Sequence, residues 1–491
     1  MSKNLFKEET VMKKFMACAL SVCMVAATLV GCEGSTPVTP ADPADPADPV
    51  VTDPADPTDP GTGTKGTINL WAFTDEIPKM ADYYVANHPD FGYEIKTTII
   101  ATTDGAYQPA LDQALAAGGA DAPDIYAAES AFVLKYCQGD MSSYAAPYKD
   151  LGIDVDKALK DADIAQYTVQ IGTNPDGDLV GLGYQATGGA FIYRRSVAEA
   201  TWGTDDPATV KEKIGGGSGS WDQYWVAAEE LKAKGFGICS GDGDMWHAIE
   251  NSSDSGWVVD GKLNIDPKRE AFFDVSKKLK DNGYHNDTQD WQDGWFADMK
   301  GEGEKEVLGF FGPAWLINYT LAPNCGGSAV GEGTYGDWAA TESPIGFFWG
   351  GTWVLASKSA IDNGKADAVA ELIEYITLDA TKDGLQYAWA NGTVDWDNDP
   401  STPTAKDCVA SGTVMSISSG ELDFLGGQNM FDVFVPANAN AKGDNLTQYD
   451  ETINNFFREQ VRFYAAGEKS KEDCIKDFKQ NVADNLDVIV E

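Results

Sequence analysis

Leu29-Val30-Gly31-Cys32 ends an apolar run, Phe15 to Val30, that Lys13 and Lys14 precede. No other thiol in the chain sits at a spacing so specific for a reaction. A basic start, a short apolar stretch and small residues before a cut describe a secretory signal. A cysteine directly after the cut makes the more specific bacterial lipobox. Cys32 is therefore expected to become the mature N-terminus and to carry lipid on its sulfur. The run is shorter than the ~20 apolar residues a comfortable membrane span needs, which favours cleavage and tethering outside the membrane. Met1 to Val11 is polar and adds nothing to a signal, so Met1 and Met12 are both candidates for the start.

Elsewhere the chemically versatile residues do not fall into reactive spacings. The chain has three histidines, His88, His247 and His285, and no H-E-x-x-H. A histidine-rich metal site or a Ser-His-Asp enzyme has few candidates to draw on. Cys137, Cys239, Cys325, Cys408 and Cys474 are odd in number and show no CxxC spacing, which argues against a zinc ribbon. Disulfides among them are conceivable, but their pairing is not legible. Asn174-Pro175-Asp176-Gly177-Asp178 and Asp395-Trp396-Asp397-Asn398-Asp399 alternate oxygen donors as calcium loops do. Both lack the glycine and terminal glutamate of an EF-hand and read as solvated acidic loops. No catalytic residue, metal or cofactor is expected.

Composition points the same way. The chain carries 77 acidic against 36 basic residues, a net charge of −41. Such a surface repels nucleic acid and anionic lipid. Residues 33–64 repeat Ala-Asp-Pro and Thr-Asp-Pro with almost no apolar side chains, so burial cannot offset the entropy of ordering. Recurrent prolines favour extended polyproline II, and six aspartates stiffen it by repulsion. This segment reads as a stalk between Cys32 and a body beginning at Lys65. With 43% hydrophobic and 11% aromatic residues, the chain has material for a packed body of two or three domains.

The body alternates strand and helix. Thr67 to Trp71 reads as a strand, and Asp75 to Asn87 as a helix with Ile77, Met80, Ala81 and Tyr84 on one face. Tyr93 to Ile100 alternates as a strand, Pro109 to Ala117 is helical, and Asp124 to Ala128 is a short buried strand. Such βαβ order implies a parallel sheet, whose ligands sit beyond the carboxyl ends of the strands. Those ends carry Thr74-Asp75-Glu76 and Glu129-Ser130. Leu179 to Gln185 and Thr187 to Arg195, joined through glycines, suggest passage from one lobe to another. Gly346 to Ala356 looks like a second passage. Ser220, after the Gly215–Gly219 loop, is placed to cap a helix from Trp221 to Lys234. Strand Glu306–Phe311 and helices 267–282, 365–378, 454–464 and 471–485 complete the pattern.

The order and spacing of Leu70-Trp71, Pro123-Asp124-Ile125, Gly183-Tyr184-Gln185 to Ile192-Tyr193-Arg194, Gly312-Pro313-Ala314-Trp315 and Trp349-Gly350-Gly351-Thr352-Trp353 resemble the extracellular solute-binding proteins of bacterial ABC importers, family 1. The likeness covers nearly all of 65–491. It implies an α/β, two-lobed, type II periplasmic-binding-protein-like fold with a hinge of two or three crossings. The implied division puts 65–185 and 353–405 in the N-terminal lobe, and 186–352 and 406–491 in the C-terminal lobe. It also implies an oligosaccharide ligand, partner permease subunits in the membrane, an extracellular and lipid-anchored monomer, and ATP hydrolysed by another subunit.

A sugar offers apolar C–H faces and a rim of hydroxyls, which rings and polar groups respectively match. Family placement makes Trp315, at a strand-to-helix turn, a candidate stacking ring, and Trp349 is a second because it precedes the hinge-like Gly350-Gly351. Asp75 and Glu129 occupy strand exits of the first lobe, Tyr184 and Gln185 the first crossing, and Asp244 and Trp246 a loop of the second lobe. Trp71, Glu76, Trp353 and His247 are weaker candidates, read as core, solvated or incidental. A receptor for a non-sugar solute, a surface glycan-binding lipoprotein without a transporter, and a two-carboxylate surface glycosidase stand as alternatives. The last would need carboxyl groups about 5–5.5 Å or about 6.5–9.5 Å apart.

Overall fold

The computed structural model describes residues 64–102, 105–394 and 405–491. Cys32, the stalk and the Asp395–Asp399 loop lie outside the described residues. Strands β1 (Gly66–Ala72), β2 (Tyr93–Ile99), β3 (Ile125–Glu129) and β4 (Gly181–Gly183) belong to a first lobe. In the second lobe come β5 (Ala190–Arg194), β6 (Gly237–Cys239), the small hairpin β7 (Val258–Val259) and β8 (Lys262–Leu263), β9 (Val307–Gly312) and β10 (Trp338–Thr341). The chain then returns with β11 (Thr352–Ala356) before a last short pair, β12 (Glu421–Leu422) and β13 (Gln428–Asn429).

The first sheet has the order β2-β1-β3-β11-β4. β1 pairs parallel with both β2 and β3, while β11 enters antiparallel between β3 and β4. Ile68, Leu70 and Ala72 bury one face of β1 against Ile77, Met80, Ala81 and Tyr84 of the helix Glu76–Asn87. Each fully buried Ile, Leu or Met among them contributes roughly 1.5–3 kcal/mol. The second sheet, β10-β5-β9-β6, is mixed, with β5 antiparallel to β9 and β6 parallel to it. Helices Asp450–Ala465 and Lys471–Asn485 close this lobe: Ile453, Phe457, Val461, Phe478 and Val482 pack with Trp246, Trp257, Phe272 and Phe273.

Two passages between the lobes run side by side. Gly189 N donates to Phe347 O at 2.8 Å and Trp349 N to Thr187 O at 3.1 Å, so 187–189 and 347–349 form a two-stranded link. Asn438 Oδ1 accepts from Gly188 N at 2.8 Å and locks the helix Phe431–Asn440 onto that link. The third passage falls later than position 405. Ala410 N still donates to Tyr184 O, and Ser411 Oγ to Ala162 O, so 407–411 packs on the first lobe. By Gln428, whose amide bonds both N–H and C=O of Ala340, the chain has reached β10.

Local detail departs from expectation in one place. Ser220 does not cap the helix Asp222–Lys232. Its Oγ accepts from Asp222 N at 3.1 Å, while Trp221 holds the N-cap position without a side-chain cap bond. All five described cysteines are buried and free. In the Asn174–Asp178 loop, Asn174 Oδ1 accepts from the N–H groups of Asp176 and Asp178, and Asp178 pairs with Lys149. Among the described residues, no helix is long and apolar enough to cross a membrane.

Candidate functional site

The carboxyl ends of β1, β3, β4, β6 and β9 and the amino end of β11 converge between the lobes. Contacts across the lobes bring these ends together, with Asn318 of the second lobe bonded to Lys406 O and Glu451 close enough to act on Glu129. In the first lobe, Thr352 at the start of β11 lies opposite Glu129 at the end of β3. In the second lobe, Ala190 at the start of β5 lies opposite Gly312 at the end of β9. Loops leaving these ends therefore supply the walls of one cleft.

Second-lobe aromatics form one wall. After β9, Pro313 opens a helix whose Trp315, Asn318 and Tyr319 share a face by their three- and four-residue spacing. Residues Ile317–Leu321 form a π turn, with Ala322 N reaching back five residues to Ile317 O. Such turns are rare and recur at functional sites. Trp315 Nε1 donates to Trp349 O at 3.0 Å, and the two indoles meet edge to face at 5.1 Å. Trp291 lies nearly parallel to Trp315, 12° apart with centroids 6.0 Å away, and edge-on to Trp349 at 5.9 Å. Its backbone sits at φ 66, a left-handed conformation costly for so bulky a residue. Under Trp349 lies His247, stacked at 4.3 Å. The three tryptophans are only partly buried and keep open ring surface.

Carboxyl groups and amides form the other wall. Glu76, the first residue of the helix after β1, faces Tyr184, Asp407 and Tyr319. Asp407 is 1% exposed and accepts from Gln185 Nε2 at 2.9 Å and Cys408 N at 2.7 Å. Burial raises its pKa to about 7 against those hydrogen bonds, with the Glu76 charge adding to the rise. Glu76 is likewise raised, first by burial. Asn318 Nδ2 donates to Lys406 O at 2.6 Å and ties this wall to the Trp315 helix. Glu129 is pushed up to about 7, by burial first, although Ala131 N and Ser130 Oγ each donate to it at 2.8 Å. Glu451, from the second lobe, adds to that rise. Arg458 lies nearby, already held by both Asp290 oxygens at 2.9 and 3.2 Å.

The eight ligand candidates do not share one environment. Trp315, Trp349, Gln185 and Glu129 border the cleft as partly buried groups. Tyr184 is buried, but its hydroxyl points toward the Glu76–Asp407 wall. Asp75 turns outward instead, into an exposed pair with Lys79 at 2.8 Å. Trp246 is a core residue, 1% exposed, wedged against Phe272 and Phe457. Asp244 is buried too and accepts from Phe311 N at 3.0 Å, bracing β9 rather than lining the opening. Trp353 is core, donating to Thr168 O, and Trp71 packs beside the same cluster.

The cleft also holds Glu76 and His247, which ranked low in the sequence, and Trp291, Asn318, Tyr319 and Asp407, which did not figure. Asn318 and Tyr319 could have been found from Trp315 by helical spacing. Trp291 and Asp407 carry no local signal, since one depends on a left-handed backbone and the other on a long-range return of the chain.

Two α/β lobes joined by adjacent crossings, with rings and carboxyl groups facing each other across the gap, define a binding protein of the two-lobed solute-binding class. The chain belongs to the family of bacterial extracellular solute-binding proteins, whose pattern matches residues 79–414. Among solved structures, it is similar to an extracellular solute-binding protein family 1 (TM-score 0.67, 18% identity, covering 85% of this chain and 99% of that one). It is also similar to the sugar-binding protein MalE from Xanthomonas citri (TM-score 0.62, 15% identity, 85% and 96% covered). A third is the galacto-N-biose-/lacto-N-biose I-binding protein of the ABC transporter from Bifidobacterium longum, in complex with lacto-N-biose (TM-score 0.57, 15% identity, 88% and 100% covered). At these identities the likeness is one of fold. No curated protein sequence matches the chain.

Proposed function

We propose that this protein captures an oligosaccharide in its interlobe cleft and delivers it, chemically unchanged, to the permease of an ABC importer. The observation that carries this reading is the arrangement of Trp291, Trp315 and Trp349 beside the Glu76, Asp407, Gln185 and Glu129 polar wall. Indole faces suit the C–H faces of pyranose rings, and the carboxyl and amide groups suit hydroxyls. Polar groups left without a partner cost about 1–3 kcal/mol each, which makes such a site selective. The names of the Bifidobacterium and Xanthomonas relatives, both sugar binders, support the ligand class.

The moving bodies are the sheet β2-β1-β3-β11-β4 with residues up to about 416, and the sheet β10-β5-β9-β6 with the two C-terminal helices. Closure about the 187–189 and 347–349 link couples occupancy to shape, which the permease reads. The protein acts as a monomer, tethered through lipid on Cys32 at the outer face of the cytoplasmic membrane, with the Asp/Pro stalk as spacer.

Isothermal titration across a glycan panel, with thermal melting in parallel, tests this. One class of oligosaccharide should bind, and at 100 times its Kd should stabilise the protein by about 2.7 kcal/mol. If no glycan raises the melting temperature while another solute class does, the assignment fails. Release of new reducing ends from the bound glycan would instead identify a hydrolase.

A further inference from the structure

We infer that the saccharide taken by this cleft bears a protonated amine, seated between the Glu76 and Asp407 carboxylates while the indoles beside them cover its ring. The inference rests on the carbohydrate reading above and narrows it to amino sugars.

Charge balance is the first support. Neither Glu76, Asp407 nor Glu129 forms an ion pair among the described residues. Lys79, the basic side chain acting on Glu76, is drawn outward to Asp75 at 2.8 Å. Arg458 is spent on Asp290. The groups facing Glu76 are Asp75, Lys79, Tyr184, Asp407 and Tyr319, and those facing Asp407 are Glu76, Gln185, the Cys408 thiol, Tyr184 and Tyr319. Apart from the outward Lys79, these groups are acidic or neutral.

A buried hydroxyl oxygen with room to accept is the second. Tyr184 is 1% exposed, and its hydroxyl faces Glu76 without closing a well-formed hydrogen bond. A buried hydroxyl left open beside two carboxyl groups marks a place where a further polar group belongs. A sugar hydroxyl could satisfy one lone pair but would leave the mutual repulsion of the two acids intact. An ammonium brings three donors and a compensating charge, and charge-assisted bonds are about twice as strong as neutral ones. A bare divalent cation fits less well, because no group of three metal-ligating side chains converges among the described residues.

Geometry joins the two halves of the ligand. Tyr319 and Asn318 lie one turn beyond Trp315 on the same helix; Asn318 bonds the carbonyl of Lys406, next to Asp407, and Tyr319 faces Asp407 and Glu76, so the helix that carries the ring surface also reaches the acid pair. The acid pair binds the amine best once both carboxyls have lost their protons, so association should release protons near neutral pH.

The test uses the full chain and a panel of mono- to tetrasaccharides in matched pairs, each glucosamine- or galactosamine-containing glycan beside its N-acetylated form, with spermidine as a ringless cation. Calorimetry should find the amine form of one pair bound at least tenfold more tightly than its N-acetylated partner. The binding enthalpy should also vary with the ionisation enthalpy of the buffer, reporting proton release. In E76Q and D407N, each checked for an unchanged fold by melting, the preference should fall to within about twofold. An N-acetylated or neutral glycan bound as tightly as its amine overturns the inference and leaves the carbohydrate reading standing. Binding of spermidine with no saccharide bound at all overturns both.

Discussion

His247 lies flat against Trp349, ring centroids 4.3 Å apart and 21° from parallel, and so supports one of the three cleft indoles from beneath. Its imidazole is neutral. Burial lowers its pKa to about 3, Arg458 assists, and Asp290 opposes. Below pH 6.5 the unfolded chain takes up a proton that the folded chain refuses, so stability falls as pH drops toward 3. Replacing His247 with Phe keeps the ring under Trp349 and removes this acid penalty. H247F should gain on the order of 1–2 kcal/mol over the parent at pH 5 and nothing at pH 8, read by denaturant melts. H247A, by contrast, should weaken ligand binding severalfold because Trp349 loses its support.

Under the proposed function, Trp315 is the ring a glycan covers. Trp315→Ala should lower ligand affinity by about tenfold or more, a loss of at least ~1.4 kcal/mol. Trp315→Phe should recover most of that, forfeiting chiefly the bond to Trp349 O at 3.0 Å. Titration calorimetry on the two variants is the measurement. Equal affinity in Trp315→Ala and the parent would place the ligand elsewhere.

Asp407 imposes a cost at neutral pH. Its folded pKa, about 7, exceeds that of an exposed aspartate, chiefly through burial. Below about pH 4 both states hold the proton and nothing is lost. As pH rises from 4 through 7 the unfolded state ionises first, and stability declines. Asp407→Asn, with the Gln185 amide rotated, should therefore be more stable than the parent at pH 8, by on the order of 2–4 kcal/mol. At pH 4 the two should be alike. Melting curves at the two pH values decide it, and a difference of the opposite sign would mean the carboxylate is better satisfied than its partners suggest.

Much of this fold is legible without coordinates. The apolar positions of 75–87 and 365–378, the strand at 306–311 and the helix 471–485 follow from periodicity, because each buries one face against a sheet or a neighbouring helix. Site residues were harder. Asp75 and Glu76 sit side by side at a strand exit, and which one faces inward depends on the first turn of the helix rather than on residue type. Trp246 has the composition of a ligand ring but lies on the side of its helix that meets Phe457. Asp407 reaches the cleft only because 407–411 folds back on Tyr184, a contact more than 200 residues long in sequence.

The link between lobes tolerates no side chain at Gly188. A Cβ there would come within 2.5 Å of Asn438 Oδ1 and 2.6 Å of its backbone nitrogen. Gly188→Ala should destabilise the protein by about 1–3 kcal/mol and weaken ligand-induced closure. Paired melts and small-angle scattering with and without ligand would show both. An unperturbed variant would mean that the helix Phe431–Asn440 can slide away from the link.

Cys32→Ala should abolish incorporation of labelled fatty acid and leave the protein in the soluble fraction of the cells that make it. Retention at the membrane in this variant would require another anchor.

The π turn at Ile317–Leu321 carries one residue more than a regular α-helix would hold in that stretch. Each residue of an α-helix advances about 100° around its axis. Because the wider turn already absorbs that residue, a single-codon deletion inside it would restore the regular α-helix and leave both Trp315 and the 322–324 segment facing as they do, without a rotation of that size. Alignments of this chain with kin that lack the extra residue will slip by one position here. Homologous aromatic and amide positions downstream of Trp315 then become comparable only after that gap is placed by structure rather than by letter matching.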